Sequence, residues 1–310
     1  MADLSVELAP KHKSGLRLAN PVLTASGTFG YGTEYAGLID IQRLGGIVSK
    51  GITEHPRKGN VQPRMAETPA GMLNSIGLQN VGIHSVVADK APMWAQWQVP
   101  VIVNISGESV DEFRRMADAL EGVDGIAGIE VNISCPNVDQ GGLEFGADPA
   151  AAAEVTRAVK RISSLPVLVK LTPNVTDIRA VALAVEEAGA DALTVMNTVV
   201  GMTINVRQRR PSIGRGHGGL SGPAIKPVAV YNTWRVAHVV QIPVIGCGGI
   251  TGPNDALEFL MAGAAAVQVG TATFTDPTTA IRVIDGLGQY LDQQGVASVS
   301  DIVGVAWGER

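Results

Sequence analysis

Residues 166–198, PVLVKLTPNVTDIRAVALAVEEAGADALTVMNT, hold two near-continuous apolar runs on either side of one helical stretch. Val167–Thr172 and Ala192–Thr198 lack the polar alternation of a half-exposed strand, so both read as parallel strands buried on two faces. Asp177–Ala188 between them has helical periodicity, and Gly189 supplies a left-handed residue to close it. The stretch is one strand–helix–strand unit of a parallel sheet.

The same pattern extends in both directions. Further strands are expected at Val22–Ser26, Gly46–Lys50, Val101–Ile105, Gly128–Ser134, Val244–Gly248 and Ala266–Gly270. Helical patterns such as Asp111–Leu120, Pro149–Ile162, Pro223–Val240 and Asn254–Met261 lie between them. Asp148-Pro149 and Gly252-Pro253-Asn254 open helices, and Gly263 closes one. Eight such units predict an α/β protein with a closed (β/α)8 TIM barrel; a doubly wound open sheet is the alternative. Leu4–Ala9 and Leu16–Ala19 predict a short N-terminal hairpin, and residues 1–310 read as a single domain. Two long connections, Ile52–Asn80 and Gly201–Gly222, are of a length that is usually functional, and in a barrel they would lie over the active face.

Composition narrows the partners. Hydrophobic residues are 45% of the chain but aromatics only 4%, which suits small side chains packed between helices and a parallel sheet. A net charge of −5 gives no basic footprint for nucleic acid. Two cysteines cannot build a disulfide framework or a four-thiolate metal site, which fits a reducing cytosol. The opening MADLSVELAPKHKSG has no apolar signal core, and no run approaches the roughly 20 apolar residues of a bilayer span. A cytoplasmic protein without membrane contact is expected.

In a barrel the chemistry sits at the C-terminal strand ends. Read in order, these are Ala25-Ser26, Lys50-Gly51, Asn104, Asn132 with Cys135, Lys170, Asn197-Thr198, Gly248-Gly249 and Gly270-Thr271. The set has no carboxylate pair, no histidine cluster and no metal-ligand spacing. Any one strand-end Asn or Thr is ordinary turn chemistry. Six or more on successive strands suit a flat, amide-bearing anionic ligand, because Asn both donates and accepts. Glycines in Gly246-Cys247-Gly248-Gly249 and Gly270-Thr271 fall after strands seven and eight, where barrels often expose backbone N–H groups to a phosphate. No strand–turn–helix in this chain carries GxGxxG, so a Rossmann nicotinamide site is not expected. Cys247, between glycines, reads as packing. Cys135 lies in a polar Ser-Cys-Pro-Asn turn and suits proton transfer. An acyl-transfer role would need a histidine partner, and none of the five histidines falls at a strand end, although His217 is on a loop that could approach.

The stretches NPVLTASGTFG, SKGIT, NSIGLQN, NISCPN, KLTPN, NT, GGLSGPAIKP, GCGGI and QVGTA occur in this order along essentially the whole chain. Together they resemble class 1 dihydroorotate dehydrogenase. The resemblance implies an FMN enzyme that oxidises (S)-dihydroorotate to orotate in UMP biosynthesis. It implies that Cys135 takes the C5 proton while hydride leaves C6 for the flavin. It carries the family's FMN contacts onto Ser26, Lys50, Gly51, Asn104, Asn132, Lys170, the Met196 backbone, Gly222, Gly248, Gly249, Gly270 and Thr271. Its pyrimidine contacts map onto Lys50, Asn74, Ser75, Ile76, Gly77, Leu78, Asn132, Asn197 and Thr198, with Asn137 as a further candidate. The physical reading agrees: the Lys50 ammonium and N–H groups near Gly77 can hold a carboxylate, and Lys170 can stabilise negative charge on a reduced flavin.

GLQN, with AETPAGMLN before it, resembles the NAD-linked branch more than the fumarate-using one. That branch pairs its FMN subunit with an iron–sulfur flavoprotein carrying FAD and a [2Fe–2S] cluster, around a homodimer core, as a heterotetramer. Two cysteines here could not hold such a cluster. A fumarate-dependent homodimer is the alternative, and a flavin-free phosphate-binding lyase or isomerase is the reading from another class. Arg207, Arg209, Arg210 and Arg215 cluster in the second long connection, as a solvated loop or as a surface that steers an anion.

Overall fold

Eight strands pair in parallel and close on themselves: β1 (Val22–Thr24), β2 (Gly46–Val48), β3 (Val101–Ile105), β4 (Gly128–Asn132), β5 (Val167–Leu171), β6 (Ala192–Val195), β7 (Val244–Cys247) and β8 (Ala266–Val269). Each pairs with the next, and β8 returns to β1 through Val267 opposite Val22. The structure, a computed structural model, describes residues 2–134, 136–137 and 143–308. Closure settles the choice between barrel and open sheet. Every residue of β1, β2, β3, β5, β6, β7 and β8 is buried, which is why these strands show no polar alternation.

The outer layer is helical: α1 (Val110–Leu120), α2 (Pro149–Ile162), α3 (Ile178–Glu187), α4 (Lys226–Ala237), α5 (Pro253–Met261) and α6 (Thr279–Gln294). In α1 the residues Phe113, Met116, Ala117 and Leu120 form the buried stripe, at the i, i+3, i+4, i+7 spacing of one helical face. Side-chain oxygens of Ser109, Asp148 and Asp177 accept backbone N–H groups at the starts of α1, α2 and α3. Gly295, left-handed at φ 66°, ends α6.

The first strand–helix unit departs from the expected repeat. Between β1 and β2 the chain makes turns and one 3-10 turn, Ile41–Arg43. Gly27, Gly30, Gly32 and Gly37 crowd that segment, and each glycine costs an α-helix about 1 kcal/mol relative to alanine. Before β3, the helical segment 83–94 passes through one π-helical stretch, Val86–Lys90. The N-terminal hairpin is present, with Val6–Glu7 antiparallel to Arg17–Leu18. Its Leu16 lies beside Gly128 at the start of β4, so the hairpin covers the N-terminal mouth of the barrel.

The two long connections are more ordered than loops. Met65–Thr68, Gly71–Asn74, Gly218–Ser221 and Val199–Gly201 form one four-stranded antiparallel sheet, with Asn74 opposite Gly219. Val199 lies four residues past the end of β6, so this sheet rises from the C-terminal rim. Beyond it, Ile204–Asn205 and Arg210–Pro211 make a hairpin that carries Arg207, Arg209 and Arg210 exposed.

Phe113 is fully buried and meets Phe145 edge-on, with ring centroids 5.7 Å apart. Phe113→Ala is expected to cost about 3–5 kcal/mol of stability, read as an earlier unfolding midpoint in urea.

Candidate active site

Side chains along a barrel strand alternate between the axis and the helices. On β4 this turns Glu130 and Asn132 one way and Ile129 and Val131 the other. Glu130 is fully buried. Its Oε1 accepts from Asn104 Nδ2 at 2.7 Å, and its Oε2 accepts from Thr194 Oγ1 and Gln268 Nε2, each at 2.7 Å. Gln268 Oε1 in turn accepts from Lys170 Nζ at 3.2 Å, and Cys247 Sγ lies 3.9 Å from the same ammonium. β3, β4, β5, β6, β7 and β8 therefore each contribute one group to a buried polar cluster.

Sequence reasoning reached Asn104 and Lys170 but missed Glu130, Thr194 and Gln268. The available signal was a polar residue inside each of three otherwise apolar strands, GIEVN, ALTV and AVQV. Burial opposes the Lys170 ammonium, yet charges at Cys247 and Glu130 outweigh it and hold the pKa above its usual value. Burial pushes the Cys247 thiol up, while the neighbouring Lys170 opposes that shift. Cys247 is buried as expected, but it lies against a site lysine rather than only in apolar packing.

Above this layer the strand ends form a rim. Ser26 is buried at the end of β1. Lys50 is half-buried after β2, its backbone N–H donating to Gly30 O at 2.7 Å, and burial pulls its ammonium below the usual value while Glu34 opposes that shift. Asn132 Oδ1 accepts from Ser134 N at 3.1 Å and from Asn197 Nδ2 at 3.3 Å, which joins the ends of β4 and β6. Asn197 Nδ2 also donates to Ser134 Oγ at 2.9 Å, and Thr198 N donates to Asn197 Oδ1. Met196 is buried, and its N–H donates to Cys247 O at 3.0 Å. Cys135 and the side chain of Asn137 lie outside the described residues.

Residues 74–80 reach this rim under tight control. Asn60 Nδ2 donates to Ser75 O and Oγ, and Arg64 donates to Gln79 Oε1 at 2.7 Å. Asn80 takes the N–H groups of Thr53 and Gly82 and donates to Leu78 O at 2.7 Å. Gly77 (φ 74°) and Leu78 (φ 53°) are both left-handed, an uncommon conformation for leucine that these bonds over-determine. A Cβ on Gly51 would lie 3.4 Å from Leu78 Cδ2, which places the segment against the end of β2.

The glycines gather on the opposite side. Gly249 is left-handed (φ 76°), and a Cβ there would sit 2.9 Å from Gly222 O and 2.7 Å from Lys226 Cβ. Thr271 Oγ1, just past β8, donates to Ser221 Oγ at 2.8 Å. Gly222, Gly249 and Thr271, far apart in sequence, thus converge in a backbone-lined cradle of the kind that holds a phosphate.

An independent observation points to a bound ligand at this rim. Asn104 Oδ1 and Ser106 Oγ are buried with no hydrogen-bond partner, and an orphaned buried acceptor calls for a donor from a bound molecule. Asn104 is fully buried, so bulk water does not satisfy it.

An amide-and-lysine ring at the C-terminal mouth of a (β/α)8 barrel, under a sheet built from its own connections, defines a barrel enzyme for a flat polar ligand. The dihydroorotate dehydrogenase family model matches residues 9–291, and the chain belongs to that family. A protein of Pelobacter propionicus named dihydroorotate dehydrogenase B (NAD(+)), catalytic subunit, is 52% identical over 302 residues, covering 97% of this chain and 98% of that protein. A Desulforudis audaxviator protein of the same name is 54% identical over 293 residues, covering 94% and 95%. The family resemblance read from the strand ends is borne out.

Gly249→Ala combines strain at a left-handed position with a Cβ against Lys226. It is expected to weaken flavin retention about tenfold or more, by fluorescence titration of the apoprotein. Gly252→Ala, with nothing within 4 Å of its Cβ, should leave retention unchanged.

Proposed function

We propose that this chain is the FMN-carrying catalytic subunit of an NAD-linked dihydroorotate dehydrogenase, oxidising (S)-dihydroorotate to orotate for pyrimidine biosynthesis. The observation that carries the reading is the near-complete coverage by relatives that bear that catalytic-subunit name. FMN, when bound, supplies the hydride acceptor. Ser26, Lys50, Gly51, Asn104, Asn132, Lys170, Met196, Gly222, Gly248, Gly249, Gly270 and Thr271 would hold it.

The chain's own residues do the rest. Asn132 and Asn197, already bonded to each other, present amides to the pyrimidine ring. Lys50 offers an ammonium to the orotate carboxylate, with the 74–78 backbone beside it and Thr198 and Asn137 as further contacts. Cys135 takes the C5 proton, and a positioned base of this kind contributes about 10²–10⁴-fold in rate. The antiparallel sheet over the rim keeps water from the reacting face.

Electrons leave through a second subunit, an iron–sulfur flavoprotein with FAD and a [2Fe–2S] cluster, in a heterotetramer built on a homodimer of this chain. Gly214-Arg215-Gly216-His217-Gly218-Gly219 matches GxGxxG, but it runs into the strand Gly218–Ser221 and not into a helix, so it lacks the strand–turn–helix setting of a dinucleotide site. Val200, Met202, Ile204 and Val206 are exposed together near the arginine hairpin, and an apolar patch of this kind supports a subunit contact. Among the described residues no helix is long and apolar enough to cross a membrane.

The purified chain should be yellow and release FMN, not FAD, on denaturation. Dihydroorotate should bleach it, while NAD⁺ reduction should need the second subunit. Rapid NAD⁺ reduction by the single chain would refute the partner, and rapid fumarate turnover would favour the other branch. Cys135→Ala should keep FMN and slow flavin reduction by about 10²-fold or more, whereas Cys247→Ala should leave the base intact. Equal losses in stopped-flow reduction would show that the base is misassigned.

A further inference from the structure

We infer that Glu130 is a positioning residue for the flavin pocket: its carboxylate fixes the Asn104 amide directly and the Lys170 ammonium through Gln268. The inference rests on the FMN reading above and concerns a residue buried beneath the rim, its carboxylate bonded to Asn104, Thr194 and Gln268.

The argument is one of hydrogen-bond polarity. A carboxylate accepts only, whereas a primary amide donates at one end and accepts at the other. Asn104 commits its Nδ2 to Glu130 Oε1, which leaves Oδ1 as the free acceptor facing the end of β2, within 3.0 Å of where a Gly51 Cβ would be. Gln268 commits its Nε2 to Glu130 Oε2, so its Oε1 is turned to Lys170 Nζ. Thr194 Oγ1 supplies a further donor and holds the carboxylate in place. One buried charge thereby sets two polarities: an acceptor toward the pocket at β3 and a held cation at β5.

Energetics point the same way. Burying a carboxylate costs several kcal/mol, and an apolar replacement of a buried ion pair is often more stable. The cluster is therefore a poor device for stability alone. It also supplies a counter-charge for Lys170, linked to the ammonium through Gln268. Replacing Glu130 by Gln puts an N–H₂ among three donors. Asn104 or Gln268 must then turn over, and a turned Gln268 would aim its own N–H₂ at the lysine.

The test compares full-length wild type with Glu130→Gln, Gln268→Met and Glu130→Asp, measuring FMN affinity by titration of apoprotein and the flavin midpoint potential by dye equilibration. Glu130→Gln should weaken FMN at least tenfold and lower the potential by about 30 mV or more, which is a tenfold change for a two-electron couple. Gln268→Met should lower the potential comparably with a smaller loss of affinity, since Asn104 keeps its anchor. Glu130→Asp, which keeps the charge, should recover part of the potential. Wild-type potential and affinity in Glu130→Gln would overturn the inference while leaving the FMN reading intact. If Glu130→Gln does not fold, an unchanged potential in Gln268→Met overturns it. Wild type that binds no FMN would overturn the flavin reading, and this inference with it.

Discussion

Closing a parallel sheet on itself brings eight strand ends to one rim and turns every second side chain toward one axis. The rest of this molecule depends on that closure. Residues separated by more than a hundred positions, such as Glu130 and Gln268, become hydrogen-bonded because both point to the same axis. An open sheet of the same strands would place β1 and β8 at opposite edges, and Gly270 would lose its contact with Ala25. The site is a consequence of closure before it is a consequence of any single residue.

A second constraint is imposed by the connections. Gly71–Asn74 and Gly218–Ser221 pair across nearly half the chain, and the close approach leaves no room for side chains at several positions. A Cβ on Gly219 would lie 2.0 Å from Thr198 Oγ1, within the rim itself. The sheet and the rim residues are therefore one packed unit. Asn74 shows this directly, since its Nδ2 donates to Gly219 O at 3.3 Å from the neighbouring strand. Movement of one long connection has to be accommodated by the other.

The interior also has two layers with different tasks. The rim residues Lys50, Asn132 and Asn197 are partly open and can exchange their present partners for a ligand. The layer beneath, around Glu130, is closed to solvent and nearly saturated with hydrogen bonds. Preorganised dipoles in such a water-excluded setting act without reorganising during the reaction. Asn104 belongs to both layers, anchored below and unpaired above.

Much of this was already written in the chain. Buried parallel strands announce themselves as unbroken apolar runs, so VLVKL and ALTV were legible, and so was the order of polar residues at their ends. Local helix chemistry at Asp148 and Asp177 was equally plain, because caps depend on neighbours in sequence. The missing helix after β1 follows from four local glycines. What sequence could not supply was every feature that depends on pairing across long separations. The sheet made by the two connections needs residues 71–74 and 218–221 side by side, and neither stretch carries a mark of the other. Glu130, Thr194 and Gln268 look like isolated polar interruptions until closure aims them at one axis. Local propensity is a property of adjacent residues, whereas the partner of a buried charge is decided by which strands the tertiary fold makes neighbours.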